Sequence, residues 1–263
     1  MTISTQKKSH GIQSIILAGG QSSRMGQDKA LIPIDGIPLI RRIYEAAAPC
    51  CSPVYVVSQW CDRYRAVLPD ACRFVTENVT KSDALLPSNG SADMQPQDSQ
   101  RLASPQDAQN APGYGARFTH GHLIGFYQGL NHLVEISSMP QSEYQADGEW
   151  VLLLACDLPN IRADGVQQWC DWLSHTGAKR FFDTPDAPMA FLPPHGTKGW
   201  HPLCGFYRLQ CLSSLQTFIN EGGRSFQKWL ASPEVKLSVH PLPVDDPNIL
   251  FNCNTPRDLA QFQ

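Results

Sequence analysis

The sequence predicts an α/β fold, a single domain built on a mostly parallel, twisted sheet with helices on both faces. Three observations predict it. Short apolar runs alternate with helix-forming segments along the whole chain. The run Trp150–Ala155 is nearly continuously apolar, as suits a central parallel strand covered by helices on both sides. The length, 263 residues with 42% apolar, suffices for one domain core of this class.

In chain order, Ser14–Ala18 is an apolar run ending at glycine, and reads as a buried first strand. Asp35-Gly36 marks a turn, and Pro38 opens a helix over Leu39–Ala48 that stops before Pro49. Val54–Ser58 is a second strand, Cys61–Leu68 a short helix and Cys72–Thr76 a third strand. From Thr80 to Arg117 the chain is rich in Ser, Gln, Asn, Asp, Pro and Gly. Such a segment buries too little surface to offset its ordering entropy, so residues 80–117 are expected to be a disordered surface insertion. Residues 1–10 are polar and are expected to be a flexible tail.

Order resumes with a helix at Gly121–Leu130, the strand Trp150–Ala155 and a helix at Val166–Ser174. Strands at Met189–Leu192 and Pro202–Arg208 and helices at Gln210–Asn220 and Ser225–Leu230 follow. Thr255-Pro256-Arg257-Asp258 combines a capping hydroxyl, a first-turn proline and an acid at the third helical position, and starts a closing helix.

Composition excludes several classes. A net charge of −3 argues against nucleic-acid binding. No apolar run is long enough to span a bilayer, and the first residues carry no signal-peptide core. A soluble, cytoplasmic protein is expected. The nine cysteines form no Cys-x-x-Cys pair, and several lie in apolar runs. They read as small core residues with reduced thiols, not as a zinc site or a redox centre.

Chemistry enters at Leu17-Ala-Gly19-Gly20-Gln-Ser-Ser-Arg24-Met-Gly26-Gln-Asp-Lys29-Ala-Leu31. Glycines let backbone N–H groups approach phosphate oxygens, while Arg24 and Lys29 bring positive charge. The loop reads as a triphosphate cradle, and it is neither a Walker A loop nor a dinucleotide-binding Gly-x-Gly-x-x-Gly. Asp157, at the carboxyl end of the Trp150–Ala155 strand, is the second anchor. An acid there suits a hard divalent ion that also takes phosphate oxygens.

The pattern Leu-Ala-Gly-Gly-x-Ser-x-Arg-Met-Gly-x-Asp-Lys-Ala-Leu resembles nucleotidyltransferases of the sugar-nucleotide pyrophosphorylase type, which have a Rossmann-like fold. Within them the chain is most similar to the molybdenum cofactor guanylyltransferase (MobA) family. The resemblance extends to Leu152-Leu-Leu-Ala-Cys-Asp157-Leu-Pro, His201-Pro-Leu-Cys-Gly-Phe-Tyr-Arg208, Gly222-Gly-Arg224-Ser-Phe and Phe251-Asn252-Cys-Asn254-Thr-Pro. It implies a Mg²⁺-dependent enzyme that transfers GMP from GTP to molybdenum-molybdopterin, releasing pyrophosphate. It also implies that molybdoenzymes or their chaperones receive the product. By that resemblance Leu17, Ala18 and Gly19 contact the nucleotide through their backbone, Lys29 and Arg24 engage its phosphates, and Asp157 binds Mg²⁺. Arg224, Asn252 and Asn254 fall at positions linked to pterin handling.

The chain departs from the family pattern at Gly121-His122-Leu123 and at Ser58-Gln59. The counterpart of a family aspartate near the third strand is not identified, Glu77-Asn78 occupying that region. Two alternatives stand beside this reading: a related cytidylyl- or sugar-nucleotide transferase, and a non-catalytic cofactor-delivery protein with a vestigial nucleotide site.

Overall fold

The computed structural model describes residues 11–19, 28–78, 121–137, 150–177 and 187–262. The expected tail at 1–10, the expected insertion at 80–117 and Gly20, Arg24 and Gly26 lie outside the described residues. All described elements belong to one compact unit, residues 1–77 with 121–263; of the second, 78–120, only Asn78 is described.

The first half of the unit comprises strands β1 (Gln13–Leu17), β2 (Pro33–Ile34), β3 (Ile37–Pro38), β4 (Val54–Ser58) and β5 (Arg73–Thr76). Helices α1 (Leu39–Ala47) and α2 (Cys61–Arg65) separate the last three. Then come α3 (His122–Ser137), β6 (Trp150–Ala155), α4 (Ala163–Trp172), β7 (Ala190–Leu192) and β8 (Cys204–Arg208). Helices α5 (Cys211–Asn220) and α6 (Phe226–Leu230), strand β9 (Val239–Pro241) and α7 (Pro256–Leu259) complete it.

Seven strands form one sheet in the order β5-β4-β1-β6-β8-β7-β9. Only β8 runs against the rest, pairing antiparallel with β6 and β7. β1 lies parallel between β4 and β6, with Leu17 opposite both Val57 and Ala155. After β1 the chain moves outward through β4 to β5, then returns to place β6 on the other flank of β1. That reversal of strand order opens a crevice at the carboxyl ends of β1 and β6, where open α/β sheets bind ligands.

Alternation along each strand feeds two cores. Ile16, Leu152 and Leu154 face α1 and α4 through Ile40, Ile43, Trp169 and Cys170. Ile15, Leu17, Val151 and Leu153 face the opposite layer, where Phe126 and Leu130 of α3 meet Leu215 of α5 and Trp229 of α6. None of the nine cysteines is in a disulfide; eight are buried and Cys156 is half-buried, as expected of small core residues. Cys50, Cys51 and Cys170 bring their thiols within 4.8 Å of one another between α1 and α4.

The expected strands at Val54–Ser58 and Trp150–Ala155 match the structure residue for residue. Helix α3 extends to Ser137, past the expected Leu130, because Leu133 keeps its apolar face on the core. Helix α2 stops at Arg65, short of Leu68. Strand β8 begins at Cys204, not Pro202, because the Cys204 N–H closes a turn onto His201 O (3.3 Å). The Asp35-Gly36 turn joins β2 to β3, a two-strand hairpin whose strands were not expected. Both turn residues have positive φ, 50° and 76°. β9 was not expected either. Among the described residues, no helix is long and apolar enough to cross a membrane.

Candidate nucleotide-binding site

The crevice between the ends of β1 and β6 is lined by Gly19, Lys29, His122, Cys156, Asp157 and Asn254, together with Leu17, Asp28, Ala30 and Ala155. The backbone brings the two sequence anchors together directly, since Cys156 N donates to Leu17 O (3.2 Å). Lys29 then reaches across from the other wall. Its Nζ donates to Asp157 Oδ2 at 3.1 Å and to Asn254 Oδ1 at 2.8 Å. Both members of the ion pair are largely shielded, with side-chain exposures of 12% and 21%.

Local structure aims each group. Lys29 opens a single 3₁₀ turn, Lys29–Leu31, capped by Asp28, whose Oδ1 accepts from Ala30 N at 3.1 Å. Asp28 is itself held by the Tyr64 hydroxyl, which donates to Oδ2 at 3.0 Å. Burial, and then the charge of Asp28, raise the Tyr64 pKa, so the phenol stays a donor. Asn254 is set by the segment before α7. Cys253 N donates to Asp157 O (2.9 Å), while Asn254 N and Thr255 N both donate to Asp258 Oδ2 (2.8 Å). Thr255 Oγ1 accepts from Asp258 N in return (3.2 Å), a reciprocal capping box.

Asp157 Oδ1 is buried and has no hydrogen-bond partner among the described residues. An ionised oxygen buried without a partner is costly. A cation arriving with the nucleotide would remove that cost, so the site's donor chemistry fits an oxygen-ligated divalent ion. Cys156, next in the chain, offers no competing thiolate. Burial, with Asp157 second, pushes its pKa up to about 12.

Of the residues expected from sequence, Leu17, Gly19, Lys29, Asp157 and Asn254 come together here. Two of the expected backbone groups are used by the sheet, Leu17 O as above and Ala18 N, which donates to Val57 O at 3.0 Å. Gly19 has no backbone hydrogen bond among the described residues and lines the crevice. Arg24 lies outside the described residues. Asn252 is exposed and does not line the crevice. Arg224 does not line the crevice: its carbonyl lies 3.5 Å from where a Cβ on Gly121 would stand, next to His122, and its Nη1 donates to Ile219 O (2.9 Å) and Gly223 O (2.7 Å) at the end of α5.

Three residues gained a place that their local sequence did not reveal. Asp28 acts through the turn it caps. His122 starts α3 at the crevice mouth, with its pKa lowered first by the surrounding walls and next moved by Asp157, which raises it, and Lys29, which lowers it. Glu77, just past β5, brings Oε2 to 3.7 Å from where a Cβ on Gly19 would stand. Its N–H is fixed on Ser58 O (2.9 Å). A strand-end acid facing a glycine four strands away in the chain order has no local sequence signature.

The profile of the MobA-like NTP transferase domain matches residues 14–92 and 95–236. The chain belongs to that family. Among relatives, a protein of Nostoc sp. named "Probable molybdenum cofactor guanylyltransferase" is 40% identical over 97% of this chain and 91% of its own length. A protein of Synechococcus elongatus with the same name is 31% identical over 95% and 97%. "Molybdenum cofactor guanylyltransferase" of Vibrio cholerae is 26% identical over 94% and 89%. Among solved structures, the molybdopterin-guanine dinucleotide biosynthesis protein A of Archaeoglobus fulgidus superposes with a TM-score of 0.58 at 18% identity, covering 95% of this chain and 96% of its own. A nucleotidyl transferase of Methanothermobacter thermautotroptrophicus gives 0.55 at 14%, covering 95% and 94%. These structures share the MobA-like fold of the sheet described above.

Proposed function

We propose that this MobA-like NTP transferase moves GMP from GTP to molybdenum-molybdopterin, giving the guanine dinucleotide form of the cofactor and pyrophosphate. The observation that carries the reading is the meeting of Lys29, Asp157 and Asn254 at the strand-order reversal, where a glycine-started loop leaves β1. The names borne by relatives that align along nearly the whole chain support the choice of base and acceptor.

Transfer between phosphates needs positioning and charge neutralisation more than covalent help. Lys29 would turn from Asp157 to the phosphates and stabilise charge on the departing pyrophosphate. Asn254 keeps the ammonium in place through one of its three donors. Arg24 would add a second cation from the glycine loop. Asp157, through the orphaned Oδ1, would hold Mg²⁺; when bound, that ion supplies charge neutralisation at the phosphate oxygens. No general base is required, because the acceptor's phosphate is already ionised at neutral pH. Glu77 would accept from the N1–H and 2-amino donors of guanine, a donor edge that adenine lacks.

The test is incubation with GTP, Mg²⁺ and molybdenum-molybdopterin, with the product identified by mass. Lys29→Ala and Asp157→Ala should each lower pyrophosphate release roughly a hundred-fold or more while the melting temperature stays near wild type. Near-normal release in both would overturn this assignment of roles. A wild-type protein that binds GTP but forms no dinucleotide product would instead support the delivery-protein alternative.

A further inference from the structure

Two surfaces flank the nucleotide crevice, and they differ in charge. On the α4 side, a groove between the start of α4 and residues 244–249 carries Asp164, Asp245 and Asp246. Its cation, Arg162, is paired with Asp164 at 2.9 Å. On the β8 side, the loop from Pro193 to Leu203 joins β7 to β8 and carries His195, Lys198 and His201. There is no acidic residue anywhere from 187 to 220.

That loop is built and braced. The His195 and His201 rings stack, with centroids 4.2 Å apart and planes tilted by 33°. His195 N donates to Gly199 O (2.8 Å) and His201 N to Pro193 O (2.9 Å), while Pro194 and Trp200 form a β-bridge. Gln227 of α6 clamps it from behind, with Nε2 donating to Trp200 O at 2.6 Å. Gly199, at φ 97°, allows the close approach, because a Cβ there would meet Gln227 Oε1 at 2.7 Å. Its base is tied to the site strand, since Ala155 N donates to Leu203 O (2.9 Å). The braced loop nonetheless leaves His195 and Lys198 exposed and His201 half-buried.

In-line displacement supplies the direction. The attacking and departing oxygens lie on opposite sides of the phosphorus. On the proposed reading Lys29 would hold the pyrophosphate on the β1 side of the crevice; β8 lies on the other flank of β6. An acceptor therefore comes in over the β8 side. Being a phosphate ester, it is attracted to the acid-free loop and repelled by the groove with three aspartates.

We propose that the β7–β8 loop is the acceptor platform, where the packed His195–His201 pair and Lys198 receive the anionic acceptor on the β8 flank of β6, away from β1. The platform rests on the guanylyl-transfer reading for the identity of its ligand. Its test, however, is a binding measurement that does not depend on turnover. Calorimetry of molybdenum-molybdopterin binding, in the presence of Mg²⁺ and an unreactive GTP analogue, compares wild type with a His195→Ala/His201→Ala double variant and with Lys198→Glu. The expected result is acceptor binding weakened on the order of ten-fold or more, with affinity for the GTP analogue unchanged, the size that hydrogen bonds to a charged group typically carry. Lys198→Glu, a fully exposed change, serves as the variant that folding cannot confound. Unchanged acceptor affinity in both variants, or an equal loss of affinity for the GTP analogue, overturns the platform. Wild-type protein that binds the acceptor but releases no pyrophosphate would sink the activity reading alone, leaving the binding comparison intact as the test of the loop.

Discussion

Lys29 and Asp28 are neighbours with divided work: one projects into the crevice, the other caps the turn that projects it. Asp28→Ala removes the acceptor for Ala30 N and for the Tyr64 hydroxyl, and should cost about 0.5–2 kcal/mol as other lost caps do. It should also lower turnover, because the ammonium is no longer aimed; urea unfolding and kinetics on one preparation check both. At Glu77 the expected effect is on selectivity. Glu77→Ala should narrow the preference for GTP over inosine triphosphate, which lacks the 2-amino donor, and competition kinetics measure it. His201 carries a pH signature, because burial first and His195 second lower its pKa below the ordinary 6.5. The unfolded chain therefore takes up this proton first as pH falls. The stability contribution is fully present above about pH 6.5 and is lost as pH falls through the folded-state value. NMR titration should place the His201 midpoint below 6.5, and replacing His195 with Gln should move it upward; a midpoint at or above 6.5 in wild type contradicts the assigned environment.

Elements buried on both faces were legible because their sequence has one reading. Trp150–Ala155 and Val54–Ser58 are runs with nowhere to go but the middle of a sheet. Short elements are different. β2 and β3 have two residues each and a proline apiece, and β9 ends on Pro241; such pieces exist only because longer neighbours hold them. The direction of β8 was equally hidden, because apolar content does not distinguish a strand from its reverse. Its packing leads to a sharp expectation. Gly205 sits in β8 with its missing Cβ aimed at Phe191 O of β7, which it would meet at 2.5 Å. Backbone cannot step aside as a side chain does, so Gly205→Ala should destabilise by about 1–3 kcal/mol or more. A melting temperature equal to wild type would show that the β7–β8 pairing is looser than described.

At the scale of the molecule, the site was half legible. The glycine loop and Asp157 carry local signatures, and strand order brings Gly19, at the end of β1, to the same crevice as Asp157. Asp28, His122 and Glu77 were hidden because their roles depend on which elements become neighbours. The first turn of α3 and the end of β5 meet in the folded unit, with Glu77 Cδ 3.8 Å from where a Cβ on Gly125 would stand. A short bridge can therefore join them, and deleting 82–112 should leave GTP affinity and melting temperature near wild type; lost binding in a folded deletion variant would show that the segment serves the site. Lys29, Asp157 and Asn254 are separated by 128 and 97 positions, yet they share one ammonium. Every strand of the sheet is in hand by Pro241, before Asn254 has been reached. A chain cut between Pro241 and Asn254 thus keeps every strand of the sheet while the ammonium lacks its amide partner. Such a product would keep its sheet, lose α7, and show its main defect when offered nucleotide.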